Sequence, residues 1–405
     1  MTVQGQKPLR ILILLNRIPW PLNDGGAIGA YNFVKGYAEA GCEVTMLAMN
    51  TTKHFVQPET IAAQFNKYGK VHTVTIDNRL KPAGALKSLL NGSSYVISRF
   101  VTNEYNQALL QLLQQHTYDV VHVDGLPPAA YIPTIRAHSK ARISMRAHNV
   151  EHGIWQRVAA QEANPLKKLY ISLEAKRLQQ FESNAAGQCD VVMAISREDE
   201  TALKALNPAI KTIVVPAGMD VNDIRENSNF SATDLCFIGA FDWMPNLQGI
   251  EWFHREVWPA LSTNFPAINF LIAGKKMPES IKKLGDSRFV TVGEVPDAKV
   301  FMLEHGIMIV PIVSGSGIRI KILEGMALGK CIIATPIAAE GLGLTDGENI
   351  LIAETAADFI RQLNRCLTDA SFAPRIGAAA HSFAYNTYRN RSIFHNLITY
   401  YRTLA

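Results

Sequence analysis

Apolar and polar positions follow one repeated order along this chain: a short apolar run, a loop with glycine or proline, and then an amphipathic stretch. Short apolar runs without strict alternation are typical of parallel strands that are covered on both faces. In the first half, the predicted strands are residues 10–15, 44–48, 71–76, 119–123, 143–147, 191–195 and 212–215. In the second half, they are residues 235–238, 268–272, 289–292, 307–311, 331–334 and 350–352. Strands that alternate with helices predict the α/β class, with a parallel sheet in each half.

The helical segments between these runs have apolar residues every three to four positions. They are predicted at residues 27–40, 104–116, 151–186, 247–261, 318–328, 356–367 and 392–404. Asn149 is suited to cap the helix at 151–186, because its side chain can accept a free backbone N–H. In the helix at 318–328, Ile320, Leu323 and Ala327 share one face at helical spacing.

Length and composition describe an ordinary globular chain. Its 405 residues favour two domains, and its hydrophobic content of 48% is enough for substantial cores. The N-terminus lacks the apolar region of a signal peptide, and no run approaches the length of a membrane span. The five cysteines are scattered, which favours buried thiols in a reducing compartment over a disulfide frame.

The net charge of +5 permits contact with an anionic membrane surface or with phosphorylated ligands. Residues 79–102 mix leucines with Lys81, Lys87 and Arg99, and two interpretations of this segment stay open. It is either a membrane-facing helix or a core helix with a solvated basic face. The basic residues form no stripe interleaved with aromatic residues, so nucleic-acid binding is not expected.

The segment 311–342 carries the strongest candidate chemistry. The turn Gly315, Ser316 and Gly317 leads directly into the helix at 318–328, and such a turn offers free backbone N–H groups to an anion. Arg319 and Lys321 lie in the first helical turn, where a cation opposes the helix dipole unless an anion is bound. The alternative is a simple turn followed by solvated side chains.

Other candidates follow predicted strands, where ligands bind in open α/β sheets. Gly25 and Gly26 lie in the loop after the first strand, and Gly239 lies in the turn after the first strand of the second half. His148 follows the strand at 143–147, and Lys275 follows the strand at 268–272. Arg146, inside the strand before His148, is a weaker candidate for an acceptor contact. Ordinary βα turns and a solvated lysine are the structural alternatives.

Several of these segments resemble the retaining GT-B glycosyltransferases of the family 4-like, group 1 type. The text EGMALGKCII at 324–333 is similar to that family's donor-site helix, E-A-M-A-x-G-x-P-V-V. The text HNVE at 148–151 and the P-x-G-x-D linker in PAGMD at 216–220 extend the resemblance. The chain resembles a subset with a G-S-G-x-R-x-K-x-L-E motif. The family's second glutamate falls on Glu324, and Ser316 occupies the position of the first.

The resemblance implies a GT-B fold: two facing Rossmann-like domains with an interdomain cleft. We expect an acceptor-side domain at 1–216, a nucleotide-sugar donor domain at 217–385, and a C-terminal helix at 386–405 that crosses back to the first domain. The implied reaction is sugar transfer to a hydroxyl with retention at the anomeric carbon.

Roles for particular residues follow from the same resemblance. His148 and Glu324 are the expected catalytic residues. The expected donor and phosphate contacts are Gly25, Gly26, Gly239, Lys275, Gly315, Ser316, Gly317, Arg319 and Lys321. No basic residue lies between Gly239 and Asn246, where the family often has one, so Arg319 and Lys321 are expected to supply that charge. No D-x-D motif is present, and no metal or other cofactor is expected.

The expected partners are a nucleotide-sugar donor and a glycan or lipid-linked glycan acceptor. The expected location is the cytoplasm, with peripheral contact at the inner face of the cell membrane, and the expected role is in polysaccharide or cell-envelope biosynthesis. Two alternatives stay open: an inactive GT-B sugar-binding or scaffold subunit, and a GT-B nucleotide-sugar epimerase. The sequence leaves the donor base, the sugar, the acceptor and the oligomeric state undetermined.

Overall fold

The computed structural model describes residues 7–22, 25–216, 218–219, 234–315 and 318–404. The chain divides into two compact units. Unit 1 contains Met1–Gly218 together with Asn390–Ala405, and unit 2 contains Met219–Arg389. Both ends of the chain therefore belong to unit 1.

Unit 1 is built on a seven-stranded parallel sheet with the strand order β3-β2-β1-β4-β5-β6-β7. Its strands are β1 Arg10–Leu15, β2 Glu43–Thr51, β3 Lys70–Ile76, β4 Val120–Asp124, β5 Arg142–Ala147, β6 Val191–Ala194 and β7 Thr212–Val214. Its helices in the first part of the chain are α1 Gly25–Glu39, α2 Pro58–Phe65, α3 Pro82–Asn91, α4 Tyr95–Ser98, α5 Asn103–Gln115, α6 Ile132–His138, α7 Glu151–Gln161, α8 Pro165–Gly187 and α9 Arg197–Leu206. Short 3-10 turns cover Thr52–His54 and Pro127–Tyr131.

Unit 2 repeats this design with a six-stranded parallel sheet of order β10-β9-β8-β11-β12-β13. Its strands are β8 Asp234–Ile238, β9 Asn269–Ala273, β10 Phe289–Gly293, β11 Ile307–Val310, β12 Cys331–Ala334 and β13 Leu351–Ile352. Its helices are α10 Met244–Trp252, α11 Trp258–Asn264, α12 Glu279–Lys282, α13 Ala298–Glu304, α14 Ile320–Ala327, α15 Pro336–Ala339, α16 Ala356–Thr368 and α17 Phe372–Tyr388. A π-helical turn, Phe253–Val257, joins α10 to α11.

Each sheet has one point where the strand order reverses. In unit 1, β1 pairs with both β2 and β4, and in unit 2, β8 pairs with both β9 and β11. Loops leave in opposite directions at such a point, so a crevice opens at the carboxyl ends of these strands. Asp124 ends β4 and Gly239 follows β8, so the topology brings both residues to these positions.

The last helix of the chain, α18 Asn390–Thr403, packs against α1 in unit 1. Gly36 on α1 allows the close approach, because a Cβ atom there would collide with the ring of Phe394. Phe394 and Tyr401 are buried in the same core layer as the inner side chains of α1. Unit 1 therefore closes its core with residues from both ends of the sequence.

The helix predicted at 151–186 is two helices. Pro165 cannot continue the preceding helix, because it lacks an N–H and its ring clashes with the turn before it. Asn164 instead caps α8, since its Oδ1 accepts the backbone N–H groups of Leu166 and Lys167 at 3.1 Å each. The prediction of one continuous helix was wrong at this break.

The predicted cap by Asn149 was also wrong. Val150 occupies the N-cap position of α7, and its apolar side chain cannot accept a helical N–H group. The buried carboxylate of Glu182 on α8 does this instead, accepting the N–H groups of Glu151 and His152 at 3.0 and 3.3 Å. A contact between residues about thirty positions apart thus replaces the local cap.

The buried face of α14 only partly coincides with the face that Ile320, Leu323 and Ala327 share. The buried residues are Ile322, Leu323, Gly325 and Met326, whereas Ile320 and Ala327 are only half-buried. Gly325 packs against the core at a position that favours glycine, because a Cβ there would approach the sulfur of Met308 to 2.8 Å. Helix α17 was not among the helices predicted from the sequence. Among the described residues, no helix combines the length and the apolar character that crossing a membrane requires.

Candidate functional site

The carboxyl edge of the unit 1 sheet holds a cluster of charged side chains around Asp124. Asp124 ends β4, and His148 follows the neighbouring strand β5. The Oδ1 atom of Asp124 lies 3.1 Å from Nε2 of His148 and 3.1 Å from Nη1 of Arg146. The structure thus brings the predicted site residue His148 close to a carboxylate that was not among the predicted site residues.

Arg146 lies inside the unit and is not an open contact for an acceptor. Its side chain is buried, and its guanidinium carbon lies 4.5 Å from the ring centroid of Phe33. Gly29 makes room for it, since a Cβ at that position would lie 2.5 Å from Nη2 of Arg146. The suggestion that Arg146 contacts an acceptor is therefore corrected: the arginine compensates the buried charge of Asp124.

A chain of buried hydrogen bonds extends from this cluster to the C-terminal helix. Nε2 of His122 lies 3.4 Å from Oδ1 of Asp124, and its Nδ1 lies 3.0 Å from the hydroxyl of Tyr37. Tyr37 in turn contacts the hydroxyl of Tyr401 at 2.9 Å, and Tyr401 donates to Oγ of Ser144 at 2.8 Å. The packing of α18 is thereby linked to the carboxylate that holds His148.

The electrostatics of the cluster keep Asp124 ionised. Burial by itself disfavours the carboxylate, but His148, Arg146 and the contact with His122 outweigh it and hold the pKa of Asp124 well below its usual range. Burial lowers the pKa of His122, so this ring is neutral near pH 7. A fixed anion thus lies directly behind His148, whose side chain is one-fifth exposed.

Gly25 and Gly26 form the start of α1. Gly25 is exposed and Gly26 is half-buried, and both belong to the first helical turn. Backbone N–H groups in a first turn have no partner inside their own helix, so they remain available to a ligand. The structure therefore places both glycines in the first turn of α1, which begins two residues earlier than the predicted helix.

In unit 2, the turn after β8 meets the first residues of α14. A Cβ atom at Gly239 would collide with Nζ of Lys321, so only glycine lets the lysine lie against this backbone. Nζ of Lys321 donates to Oδ1 of Asn246 at 2.7 Å and lies 4.2 Å from the ring centroid of Phe237. The turn between Gly239 and Asn246 contains no basic residue of its own, and Lys321 brings a cation to it.

The surroundings of Lys321 disfavour the charged form of its amino group. Burial, together with the nearby Arg319 cation, lowers the pKa of Lys321 to about 7, while Glu324 acts in the opposite direction. Its hydrogen-bond acceptor, Asn246, is neutral. A bound anion would supply the compensating charge that these neighbours do not fully provide.

Arg319 occupies the N-cap position of α14, and its side chain is buried. Its guanidinium carbon lies 5.2 Å from the ring centroid of Trp243. Gly315 adopts a positive φ of 93°, and a Cβ there would approach Pro245 to 2.9 Å. The loop before α14 and the turn before α10 thus pack closely together. Ser316 and Gly317, which complete the predicted turn, lie outside the described residues.

Glu324 lies one turn along α14 from Ile320 and is half-buried. Burial raises the pKa of its carboxyl group, and the cations Lys299 and Lys321 counteract this shift. Lys275 is different, since its side chain is 72% exposed and its Nζ lies 3.9 Å from Oε1 of Glu294. The structure thus groups Arg319, Lys321 and Glu324 on one helix start and leaves the Lys275 ammonium at the surface.

Three residues of these two clusters went unrecognised as site residues from sequence: Asp124, Asn246 and Trp243. The signal for Asp124 was an acidic residue at the carboxyl end of a strand next to the reversal of strand order. Asn246 and Trp243 carried no comparable signal, because their contacts with Lys321 and Arg319 join positions about 75 residues apart. Among the described residues, no group of three or more His, Cys, Asp or Glu side chains is arranged to hold a metal ion.

Comparison with known protein families gives two consecutive matches. Residues 23–223 match the family described as Glycosyltransferase Family 4, and residues 232–369 match the family described as Glycosyl transferases group 1. Together the two matched ranges cover more than four fifths of the chain.

Comparison with solved structures gives matches over nearly the whole chain. Sucrose-phosphate synthase from Thermosynechococcus elongatus has a TM-score of 0.66 at 16% identity, covering 98% of this chain and 99% of that one. Anabaena HepE in complex with UDP has a TM-score of 0.65 at 14% identity, covering 98% of this chain and 100% of that one. These similarities show a shared fold.

A Klebsiella pneumoniae protein described as an uncharacterized 44.6 kDa protein in the cps region is 21% identical over 402 residues. The match covers 96% of this chain and 98% of that protein. The two parallel-sheet units and the structural matches define a GT-B fold. With the two family matches, they identify the chain as a glycosyltransferase of the group 1 and family 4 type.

Proposed function

We propose that this protein transfers a sugar from a nucleotide-diphosphate donor to a hydroxyl group of a glycan or lipid-linked glycan, with retention of configuration at the anomeric carbon. In this proposal, unit 2 binds the donor through the start of α14 and the turn after Gly239. His148 of unit 1 and Glu324 of unit 2 are the proposed catalytic residues.

The observation that carries the proposal is the position of Lys321. Its ammonium group lies against the backbone of Gly239 and bonds to Asn246, beside the guanidinium-bearing residue Arg319. Two cations and a glycine turn at the carboxyl end of parallel strands are a suitable site for a diphosphate. Charge grows on a nucleotide-diphosphate leaving group as the glycosidic bond breaks, so fixed cations there stabilise the transition state.

Structural relatives support a nucleotide-sugar donor. Anabaena HepE has been solved with UDP and with UDP-glucose, and an Escherichia coli relative has been solved with UDP-2-fluoro glucose. We extend the class of donor, a nucleotide-diphosphate sugar, to this chain. The diphosphate is neutralised by Arg319, Lys321 and backbone N–H groups, so we propose that the reaction requires no metal ion. Activity that persists in EDTA would support this part of the proposal.

The acceptor proposal includes peripheral contact with the inner face of the cell membrane, in a polysaccharide or cell-envelope pathway. The cps-region description of the Klebsiella pneumoniae relative supports the polysaccharide context. The surface that supports membrane contact is the first half of α8, where Leu166, Leu169 and Leu173 are 79%, 69% and 38% exposed. Their spacing puts them on one helical stripe, and the exposed Lys176, three positions after Leu173, lies beside it.

Exposed leucines next to lysines match the chemistry of an anionic bilayer surface. The apolar side chains enter the headgroup boundary, and the ammonium groups attract anionic lipids. A protein partner is the alternative occupant of this stripe. Vesicle sedimentation distinguishes the two possibilities, because the assay contains only lipid and this protein.

The function is tested by a thermal-shift and hydrolysis screen with UDP-, GDP-, ADP- and TDP-linked sugars. We expect one nucleotide series to stabilise the protein and its sugar to be released. In the variant Arg319→Ala, Lys321→Ala, we expect the affinity for that nucleotide diphosphate to fall by about tenfold or more, because each charge-assisted contact contributes roughly 1.5–3 kcal/mol.

The matched control is Lys282→Ala, which removes an exposed lysine of the same unit outside the predicted site and should leave nucleotide affinity unchanged. Equal affinity in the double variant and the wild type would refute the phosphate assignment. Binding without sugar release or transfer would favour the inactive sugar-binding subunit, and interconversion of free nucleotide sugars would favour the epimerase.

A further inference from the structure

A groove with a volume of about 690 Å³ crosses the amino edge of the unit 1 sheet, at the end opposite to His148. It lies at the amino ends of the four adjacent strands β3, β2, β1 and β4, and the turns before β3 and β4 contribute to its lining. A volume of this size is typical of pockets that hold small molecules. None of the site residues predicted from the sequence lines this groove, so it is separate from the proposed transfer site.

Arg10 begins β1, and its half-buried side chain lines the groove. Its Nε atom is buried and has no hydrogen-bond partner. Oδ2 of Asp119 lies 3.9 Å from this Nε, which is beyond hydrogen-bond distance, and accepts the backbone N–H of Arg10 at 2.7 Å instead. A guanidinium carries five N–H donors in a planar fork. The contact with Asp119 therefore leaves Arg10 with donors for a ligand in the groove.

Two lysines line the groove on the side of β3. Lys67 lies in the turn between α2 and β3, Lys70 begins β3, and both are exposed. Gly69 lets this turn approach β2, because a Cβ there would collide with the carbonyl oxygen of Val44. Nζ of Lys67 lies 5.0 Å from the ring centroid of Tyr68, and neither lysine forms a salt bridge with another described residue. Both ammonium groups can therefore contact an anion in the groove.

The side chains that line the groove carry an excess of positive charge. Arg10, Lys67 and Lys70 are cations, and among the described residues of the lining only Glu43 carries a carboxylate. His116 also lines the groove and adds a positive charge when it is protonated. Cations that converge on one concave surface attract an anion more strongly than the same cations spread over a flat surface.

We propose that this groove is a second ligand site, which binds a phosphate monoester through Arg10, Lys67 and Lys70. A phosphate monoester carries close to two negative charges at pH 7 and three strong acceptor oxygens. The planar fork of Arg10 can hold two of these oxygens. The rings of Tyr68 and Tyr118, which also line the groove, offer apolar surface to the organic part of the ligand.

The first test is calorimetric titration of the full-length protein with inorganic phosphate, glucose 6-phosphate and 3-phosphoglycerate, with glucose as the uncharged control. The titrations use the variant Arg319→Ala, Lys321→Ala, so that the proposed nucleotide site of unit 2 has lost its cations. We expect saturable binding of at least one phosphorylated probe and none of glucose. If no phosphorylated probe binds this variant, the groove is not a phosphate site and the proposal is overturned.

The second test adds Lys67→Gln, Lys70→Gln to that variant. We expect the affinity for the bound probe to fall by about tenfold or more, because two charge-assisted contacts are lost. Both side chains are exposed, so the fold should be kept. The matched control is Lys53→Gln, Lys140→Gln, which removes two exposed lysines of unit 1 that do not line the groove. Equal weakening by both pairs would indicate general attraction to a cationic surface and would overturn the site.

A third measurement locates the probe in the wild type. In protein labelled with 15N-histidine, the signal of His116 should shift as the probe is added, and His116→Gln assigns that signal by its disappearance. An unchanged His116 signal at saturation would place the probe elsewhere and overturn the proposal.

The phosphate monoester can belong to a soluble metabolite or to a lipid headgroup, and vesicles that contain phosphatidic acid distinguish these sources. Sedimentation that is lost in Lys67→Gln, Lys70→Gln would identify the headgroup. Binding of soluble esters without sedimentation would identify a metabolite.

Discussion

At the scale of single residues, the two units differ in how well the charge of a key side chain is compensated by its neighbours. Asp124 is buried with its charge compensated by Arg146 and His148, so it stays ionised. Lys321 is half-buried beside a neutral amide and another cation, and its pKa falls to about 7. A compensated charge stays ionised and holds its neighbours in place. The protonation state of an undercompensated charge changes when a ligand of opposite charge binds.

We therefore predict that nucleotide-diphosphate binding takes up a proton at pH 8. The empty protein holds Lys321 largely neutral above its pKa of about 7, and a bound diphosphate favours the ammonium form. Affinity should fall as pH rises above about 7. Calorimetry in two buffers of different protonation enthalpy measures the uptake. Lys321→Arg, which stays charged, should bind without it; equal proton uptake by both proteins would contradict the assignment.

The same shift affects stability with a definite sign. The folded-state pKa of Lys321 lies below its ordinary value of 10.5, so the unfolded chain binds more protons between about pH 7 and 10.5. Through this group, the free energy of unfolding rises with pH across that window. Below about pH 7 both states are protonated, and the contribution no longer changes.

At the scale of elements, helix ends decide where polar chemistry is available. The start of α14 carries Arg319 and Lys321, and its close packing against the turn before α10 depends on Gly239 and Gly315. The start of α8 is different: it is capped by Asn164, and its first turns expose leucines instead of packing them. In our proposals, the start of α14 binds a phosphate group and the start of α8 contacts an apolar surface.

For α8, we predict that the full-length protein sediments with phosphatidylcholine vesicles that also contain phosphatidylglycerol. Leu166→Ser, Leu169→Ser should weaken this binding by about tenfold or more, since burying each leucine contributes roughly 1.5–3 kcal/mol. The melting temperature should hardly change, because both side chains are exposed. The control Val300→Ser alters an exposed apolar residue of unit 2 and should bind normally. Equal sedimentation of all three proteins would exclude this stripe as the lipid contact.

At the scale of the whole molecule, unit 1 is formed by two separate parts of the sequence, one before unit 2 and one after it. Residues 390–403 fold as α18 in unit 1, after all of unit 2 has intervened in the sequence. The buried ring of Phe394 lies 5.1 Å from that of Phe33 and 5.2 Å from that of Tyr37. The core of unit 1 is therefore complete only when the last helix has been synthesised.

We predict that Phe394→Ala lowers the free energy of unfolding by about 3–5 kcal/mol, as expected for deleting a large buried aromatic side chain. Denaturant unfolding measures this loss. The matched control is His395→Ala, one position further along the same helix and exposed. A similar small effect from both substitutions would show that α18 is peripheral to the core.

The sequence by itself determined the strands, the two parallel sheets and the position of the main candidate segments. Short apolar runs are local signals, and their burial on both faces requires no knowledge of distant partners. The same holds for Gly239, His148 and the start of α14, because their positions after strands or before a helix follow from chain order. The helix break before Pro165 was also predictable from the local sequence, because proline cannot continue a helix. The helical periodicity of residues 151–186 led instead to the prediction of one helix.

Only the tertiary structure decided which side chains meet. Glu182 replaces Asn149 as the cap of α7, and Asn246 receives Lys321 from a different loop. Arg146 turns inward to Asp124 because Gly29 on another element leaves it space. Such contacts depend on the close approach of segments distant in sequence, where desolvation and charge compensation decide which partner is favourable. These energies depend on contacts in three dimensions, so no local sequence pattern predicts them.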